Sequence, residues 1–422
     1  MRAPYFINLS AGDEEWSRSR KRLMNGQITS PLNLSKEVHM IRQWYAFALA
    51  LVIMLSVNAG AVMANQAIMQ ENQPASFLPA WEPPARYGHS MVDLNGKAYL
   101  FGGATAFISD TLRIASSVAV NGHAPASMLL NNISIFDPDL TVWTPEEPAN
   151  NPPAPRYKHS AVALGERMYI LFGEGESGLL QDIWVYDPLS KEWREQVVSS
   201  ISKPAARSGH TSVVLYGQIF LYGGKTATGV VNDMWSFNLR SQTWTQRENG
   251  GIPVYGHTAV VDDTGGKMYV FGGSNPDGSY RNDLLSYDLN TQQWENIAVQ
   301  GDLPSPRAFH VSVYEANKIK ISGGRGYNSS GVLTDLDDVW EFNTVAVKWT
   351  PKAKVSPHSF SSAVVVPKSS GNLSQFQNLG LAPRATSGTV ILFFGGLRDG
   401  QTIAETFEYT GQYLLYLPLI AR

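Results

Sequence analysis

The amino-acid sequence predicts an all-β protein, a closed wheel of six four-stranded sheets, and three observations predict it. The first is composition: 37 Gly, 24 Pro and 11% aromatic residues, with only 16% charged, favour many short strands joined by turns. The second is a recurring motif, an arginine or its substitute, a ring, a histidine and a small hydroxyl ahead of an apolar run. The third is an interval. An aromatic residue is followed seven positions later by tryptophan at Phe136/Trp143, Tyr186/Trp193, Phe237/Trp244, Tyr287/Trp294 and Phe342/Trp349. Tyr409/Tyr416 reads as a sixth pair with the tryptophan replaced.

The chain opens with a leader. Residues 43–70 carry no charge, and "WYAFALALVIMLSV" is followed by "NAGAVMA", with Val62 and Ala64 at the minus-three and minus-one positions of a cleavage site. Residues 40–64 are expected to be a signal peptide, or an uncleaved signal anchor, and residues 1–39 an N-terminal extension or a mis-assigned start. The basic residues before the apolar core place the body outside the cytoplasm, so the protein is expected to be exported: secreted, periplasmic or on the cell surface. Residues 65–80 read as a linker and 81–416 as the repeat body, with units near 84–145, 155–196, 206–247, 253–297, 306–351 and 356–416. Residues 417–422 form a tail.

Each unit opens with its motif: "PARYGHS", "PRYKHS", "ARSGHT", "PVYGHT", "PRAFHV" and the decayed "SPHSF". An apolar run follows, then a second run ending on glycine: "YLFGG", "ILFGE", "FLYGG", "YVFGG", "IKISGG" and "LFFGG". A third run, often led by an acid ("DIWVYD", "DMWSFN", "DLLSYD", "DVWEFN"), carries the ring that precedes tryptophan. Each run is short and rich in β-branched or aromatic residues, with turn clusters between, so each unit holds four strands. One such sheet cannot bury both faces alone, whereas six around an axis bury them against one another. The glycines allow sharp bends and close backbone approach. Ring and tryptophan fill the wedge between sheets. The sixth sheet closes either with a strand near Tyr416 or with one near Trp81, the former involving less loop entropy.

Double glycine, ring and tryptophan at this spacing resemble the kelch family over about residues 81–416. The resemblance implies a six-bladed β-propeller of four-stranded kelch blades. It leaves function open among adaptors, enzymes and sugar-binding proteins.

Several classes are excluded. The chain has no cysteine, which removes disulfides, thiolate metal sites and cysteine nucleophiles, and with them the tyrosine–cysteine crosslink of kelch-type copper oxidases. Residues 1–64 hold seven Lys/Arg against four Asp/Glu, and the remainder 26 against 32, so the acidic body has no electrostatic case for nucleic acid. No nucleophile elbow, phosphate loop or zinc-helix motif occurs. No cofactor is expected, and the membrane is reached only through an uncleaved leader.

Strand alternation places the loop before the first strand and the loop between the second and third strands on one face, the mouth. Arg86, Arg156, Arg207 and Arg307 lie near it, as do long loops at 104–132 and 325–337. Two readings stand. The arginines form a partial ring for an anionic or acidic ligand, which the resemblance to peptide-binding kelch domains implies. Alternatively they clamp Asp182, Asp233, Asp283 and Asp338 structurally. Arg325 and His123 do not follow the repeat, which favours recognition. His89, His159, His210, His257, His310 and His358 recur with the unit, and such spread positions cannot converge on one metal, so no metal site is expected. They are expected to bond backbone between strands. The acidic groups Glu174/Glu176 and Asp335/Asp337/Asp338 lack the spaced calcium pattern and read as solvated turns.

The function expected is a non-catalytic, monomeric, exported binding module that takes a protein or glycan through its mouth-face loops. The alternative is an envelope carbohydrate-modifying enzyme resembling kelch sugar epimerases and mutarotases. A second contact surface is expected on the opposite face, at the insertion 367–387.

Overall fold

The computed structural model of the protein describes residues 81–106, 128–262, 264–368, 388–409 and 414–416. The leader, His123 and most of the insertion 367–387 lie outside them. Among the described residues the regular structure is strand throughout, and it includes six four-stranded antiparallel sheets, one per motif copy. Blade one comprises Ser90–Leu94, Lys97–Ala104, Leu129–Asp137 and Val142–Glu146, paired in chain order. The first strands of the following blades are Ser160–Leu164, Thr211–Leu215, Thr258–Asp262, Val311–Glu315 and Ser362–Lys368. Each packs beside the next, and the last returns to Ser90–Leu94.

Burial explains the strand sequences. Second strands such as Arg167–Leu171 and Lys267–Phe271 are covered on both faces, so their apolar residues run on without alternation. Outer strands such as Glu192–Glu195 and Thr243–Gln246 bury only the tryptophan. Between third and fourth strands, the side chain of Asp187, Asn238, Asp288 or Asn343 accepts backbone N–H groups two or three residues on. These caps hold the turn without help from the core.

The seven-residue interval is a cross-strand register. Phe136 faces Trp143, Tyr186 faces Trp193, Phe237 faces Trp244, Tyr287 faces Trp294 and Phe342 faces Trp349. Their ring centroids lie 5.1–5.2 Å apart. Each tryptophan then meets a second-strand ring of the preceding blade or its neighbour in sequence: Trp143 meets Phe394, Trp193 Phe101, Trp244 Phe172, Trp294 Tyr222 and Trp349 Phe271. The core is therefore a set of seams between blades. The sixth pair differs from expectation, because Phe407 is registered on Tyr416 and Tyr409 on Leu414. Leu414–Tyr416 supplies the closing strand from the C-terminal side, and Trp81 belongs to no strand.

Six backbone hydrogen bonds close a ring at the axis. Lys158 N–H donates to the Gly88 carbonyl, Gly209 to Lys158, Gly256 to Gly209, Phe309 to Gly256, Phe360 to Phe309 and Gly88 to Phe360, at 2.7–2.9 Å. All six residues have φ between 51° and 68°, the left-handed region. Three are glycine, whereas Lys158, Phe309 and Phe360 accept the strain.

Candidate functional site

The segment before each first strand pairs with the loop between second and third strands, as at Tyr87/Ala104, Tyr157/Glu174 and Tyr255/Ser274, so both lie on the mouth face. The second glycine of each pair makes this close approach possible. At Gly224, with φ of 100°, a Cβ would stand 2.8 Å from that of His210. Its N–H donates to the carbonyl at the arginine position of the next blade, Val254. The same bond identifies that position elsewhere: Gly324 donates to His358, and Gly396 to Arg86.

The arginines are not presented to a ligand. Arg86, Arg156, Arg207 and Arg307 are fully buried. Arg156 donates from Nε to the Ala154 carbonyl, from Nη1 to the Phe172 carbonyl and Asp182, and from Nη2 to Asp182. Arg207 and Arg307 repeat this with Asp233 and Asp338. The second carboxylate oxygen also accepts the indole N–H of Trp184, Trp235 or Trp340. Burial alone would raise these three carboxyls, but the hydrogen bonds and charge of the arginines hold them below the usual value. The expected ligand ring is thus corrected to internal clamps.

The clamp is relocated where the motif lacks arginine. In blade four Val254 holds the position, and Arg281 pairs with Asp283 from two residues away. In blade six His358 stands there, and Arg398 pairs with Glu405 through both guanidinium nitrogens. His358 is therefore not the sixth member of the histidine series, whose place is taken by Ser361. Of the other five histidines, four bond hydroxyls of the preceding blade: His159 to Ser90, His210 to Ser160, His257 to Thr211 and His310 to Thr258, at 2.7–3.0 Å. Burial lowers the pKa of every one, to about 3 at His159 and His257. They are neutral at physiological pH. The acids at 335–338 are corrected as well: Asp335 is buried beside Arg325, Asp337 pairs with Lys354 and Asp338 with Arg307.

Of the sequence-nominated residues, Arg325 reaches the surface, on the hairpin Arg325–Tyr327/Leu333–Asp335. Tyr327, Val332 and Leu333 on this hairpin are 48%, 56% and 40% exposed, and Tyr327 packs edge-on against Tyr280 of blade four. Sequence reasoning missed the mouth floor. The Lys158 ammonium lies 5.0 Å from the Tyr157 ring centroid, 5.6 Å from Phe360, 5.7 Å from Tyr255 and 5.9 Å from Phe309, within cation–π range of all four. The signal was the variable residue before the histidine, which reads Gly, Lys, Gly, Gly, Phe across the first five motifs. Beneath this floor the axial cavity, lined by His89, His159, His210, His257, His310 and Ser361 among others, has a volume of about 140 Å³. That is below the roughly 300 Å³ of ordinary ligand pockets.

Fold and site define a repeat β-propeller with structural clamps inside and variable loops at the mouth. Residues 80–254 match the KLHDC2/KLHL20/DRC7 Kelch-repeats domain, and residues 195–370 match the Attractin/LZTR1 beta-propeller. The chain belongs to the kelch-repeat β-propellers. It is 28% identical over 260 residues to the leucine-zipper-like transcriptional regulator 1 homolog of Drosophila melanogaster, covering 58% of this chain and 25% of that protein. It is 27% identical over 297 residues to Kelch domain-containing protein 3 of Bos taurus, covering 64% and 72%. Kelch domain-containing protein 10 of Rattus norvegicus is 31% identical over 201 residues, covering 45% and 44%. The chain thus spans a quarter of the length of the fly relative. Kelch propellers commonly mediate protein binding.

Proposed function

We propose that this chain is an exported protein-binding module whose partner is held on the mouth face by Tyr280, Arg325, Tyr327, Val332 and Leu333, above Lys158. One observation carries the reading: apolar and aromatic side chains that could have been buried are exposed on a hairpin beside a cation-centred aromatic floor. An exposed tyrosine packed on a half-buried one and flanked by aliphatic groups and an arginine has the chemistry of an interface anchor. A glycan would stack on the same rings, so the test has to separate the two. Benzoylphenylalanine placed at Tyr327, and at Leu189 on the opposite face, is irradiated in the native cell. Protease-sensitive adducts from position 327 alone are expected. Glycosidase-sensitive adducts would transfer the reading to a glycan, and equal yields at both positions would sink it.

Export rests on the leader at 40–64. The mature N-terminus is expected at Asn65 in the extracytoplasmic fraction, read by terminal mass spectrometry. A full-length chain in the cytosol would reject it.

A further inference from the structure

In blades two, three and five the arginine clamp is completed by a carboxylate and by the tryptophan two residues on. Blade one keeps the arginine and changes both partners: Asn132 stands at the aspartate position and Ser134 at the tryptophan position. Arg86 still donates from Nε to the Pro84 carbonyl and from Nη1 to the Gly102 carbonyl and Asn132 Oδ1, each at 3.0 Å. The other end of the Asn132 amide is then a donor, where the other blades offer an oxygen. Flipping the amide only transfers the mismatch to Nη1. Arg86 and Ser134 are fully buried, and Arg86 Nη2 and Ser134 Oγ have no hydrogen-bond partner.

We propose that this position in blade one binds a small monovalent anion, a halide or a carboxylate group, through Arg86 Nη2, Asn132 Nδ2 and Ser134 Oγ. A buried guanidinium needs a counter-charge, and among the described residues none contacts this one. Burial pulls the Arg86 pKa down to about 10, which leaves it charged at neutral pH. The charge that the other clamps carry in an aspartate is here supplied from solution. Ser134 puts a hydroxymethyl where the other blades carry an indole, on the same strand face as Asn132, since residues two apart on a strand share one face. The site is independent of what the mouth recognises.

The test is thermal unfolding of the full chain at constant ionic strength, with sodium gluconate exchanged for chloride, bromide, formate or acetate. A saturable rise of about 3 °C with the small anions is expected. Response to halides alone or to carboxylates alone identifies the source. Asn132→Asp carries its own counter-charge, so it should melt about 3 °C higher in gluconate and no longer respond to anion. Bromide soaked into crystals should give an anomalous peak beside Arg86. An unchanged melting temperature in every salt together with no bromide peak would overturn the proposal, as would an Asn132→Asp variant that responds like the parent.

Discussion

A single guanidinium shows how residue identity is spent here. Arg207 has no exposed surface and satisfies its donors on Asp233 and two carbonyls. Truncating the acid strands a buried charge, so Asp233→Ala should lose about 3–5 kcal/mol in urea denaturation, whereas the paired replacement Arg207→Met/Asp233→Leu should lose far less. A similar loss in both would mean the pair itself, and not the stranded charge, carries the stability. Lys158 makes the opposite case. Its backbone sits at a φ of 51° that glycine adopts in three other blades, so Lys158→Gly relieves strain while removing the ammonium. Melting is expected to stay within about 2 °C of the parent, while crosslinking from position 327 falls. Unchanged crosslinking would take Lys158 out of the recognition surface.

Elements were more legible in the sequence than partners, for a geometric reason. The seven-residue interval is a strand register across a capped turn, and neither can slip without turning the tryptophan out of the seam. The same constraint grades the tryptophans. Trp193 is 2% exposed against Phe101 and Tyr186, whereas Trp294 is partly exposed. Trp193→Ala should therefore lose about 3–5 kcal/mol and Trp294→Ala distinctly less by the same denaturant measurement. Equal losses would mean the seams do not bear stability in proportion to burial. What the pattern hid were substitutions that keep geometry and change chemistry. Phe172 takes the first glycine position at a φ of 57°, because its ring fills the seam against His210 and Trp244. In blade four the cation reaches its carboxylate from two residues earlier in the acid's own segment, just before the third strand, and in blade six a histidine stands where arginine is expected. A clamp needs a charge at a point in space, which several chain positions can provide, so sequence alone did not locate it.

At the scale of the whole molecule, closure gathers the buried histidines into one girdle between blades, and that girdle sets the response to acid. Each imidazole is desolvated, so its folded-state pKa lies below the 6.5 of the unfolded chain, at about 3 for His159 and His257. Between those values the unfolded chain takes up protons that the native state refuses. Stability present above pH 6.5 is therefore lost as pH falls, on the order of 2 kcal/mol at pH 5 for each of His159 and His257. The clamp carboxylates do not share this window, because Asp182, Asp233 and Asp338 are held below the ordinary carboxylate range and give way only in stronger acid. The urea midpoint should thus drop between pH 7.5 and pH 5 with the activity of no catalytic group involved. The double variant His159→Gln/His257→Gln, whose amides can still meet the Ser90 and Thr211 hydroxyls, should flatten that drop while lowering the midpoint at pH 7.5. A parent midpoint independent of pH across this interval would show that the imidazoles are solvated, and the seams they occupy open.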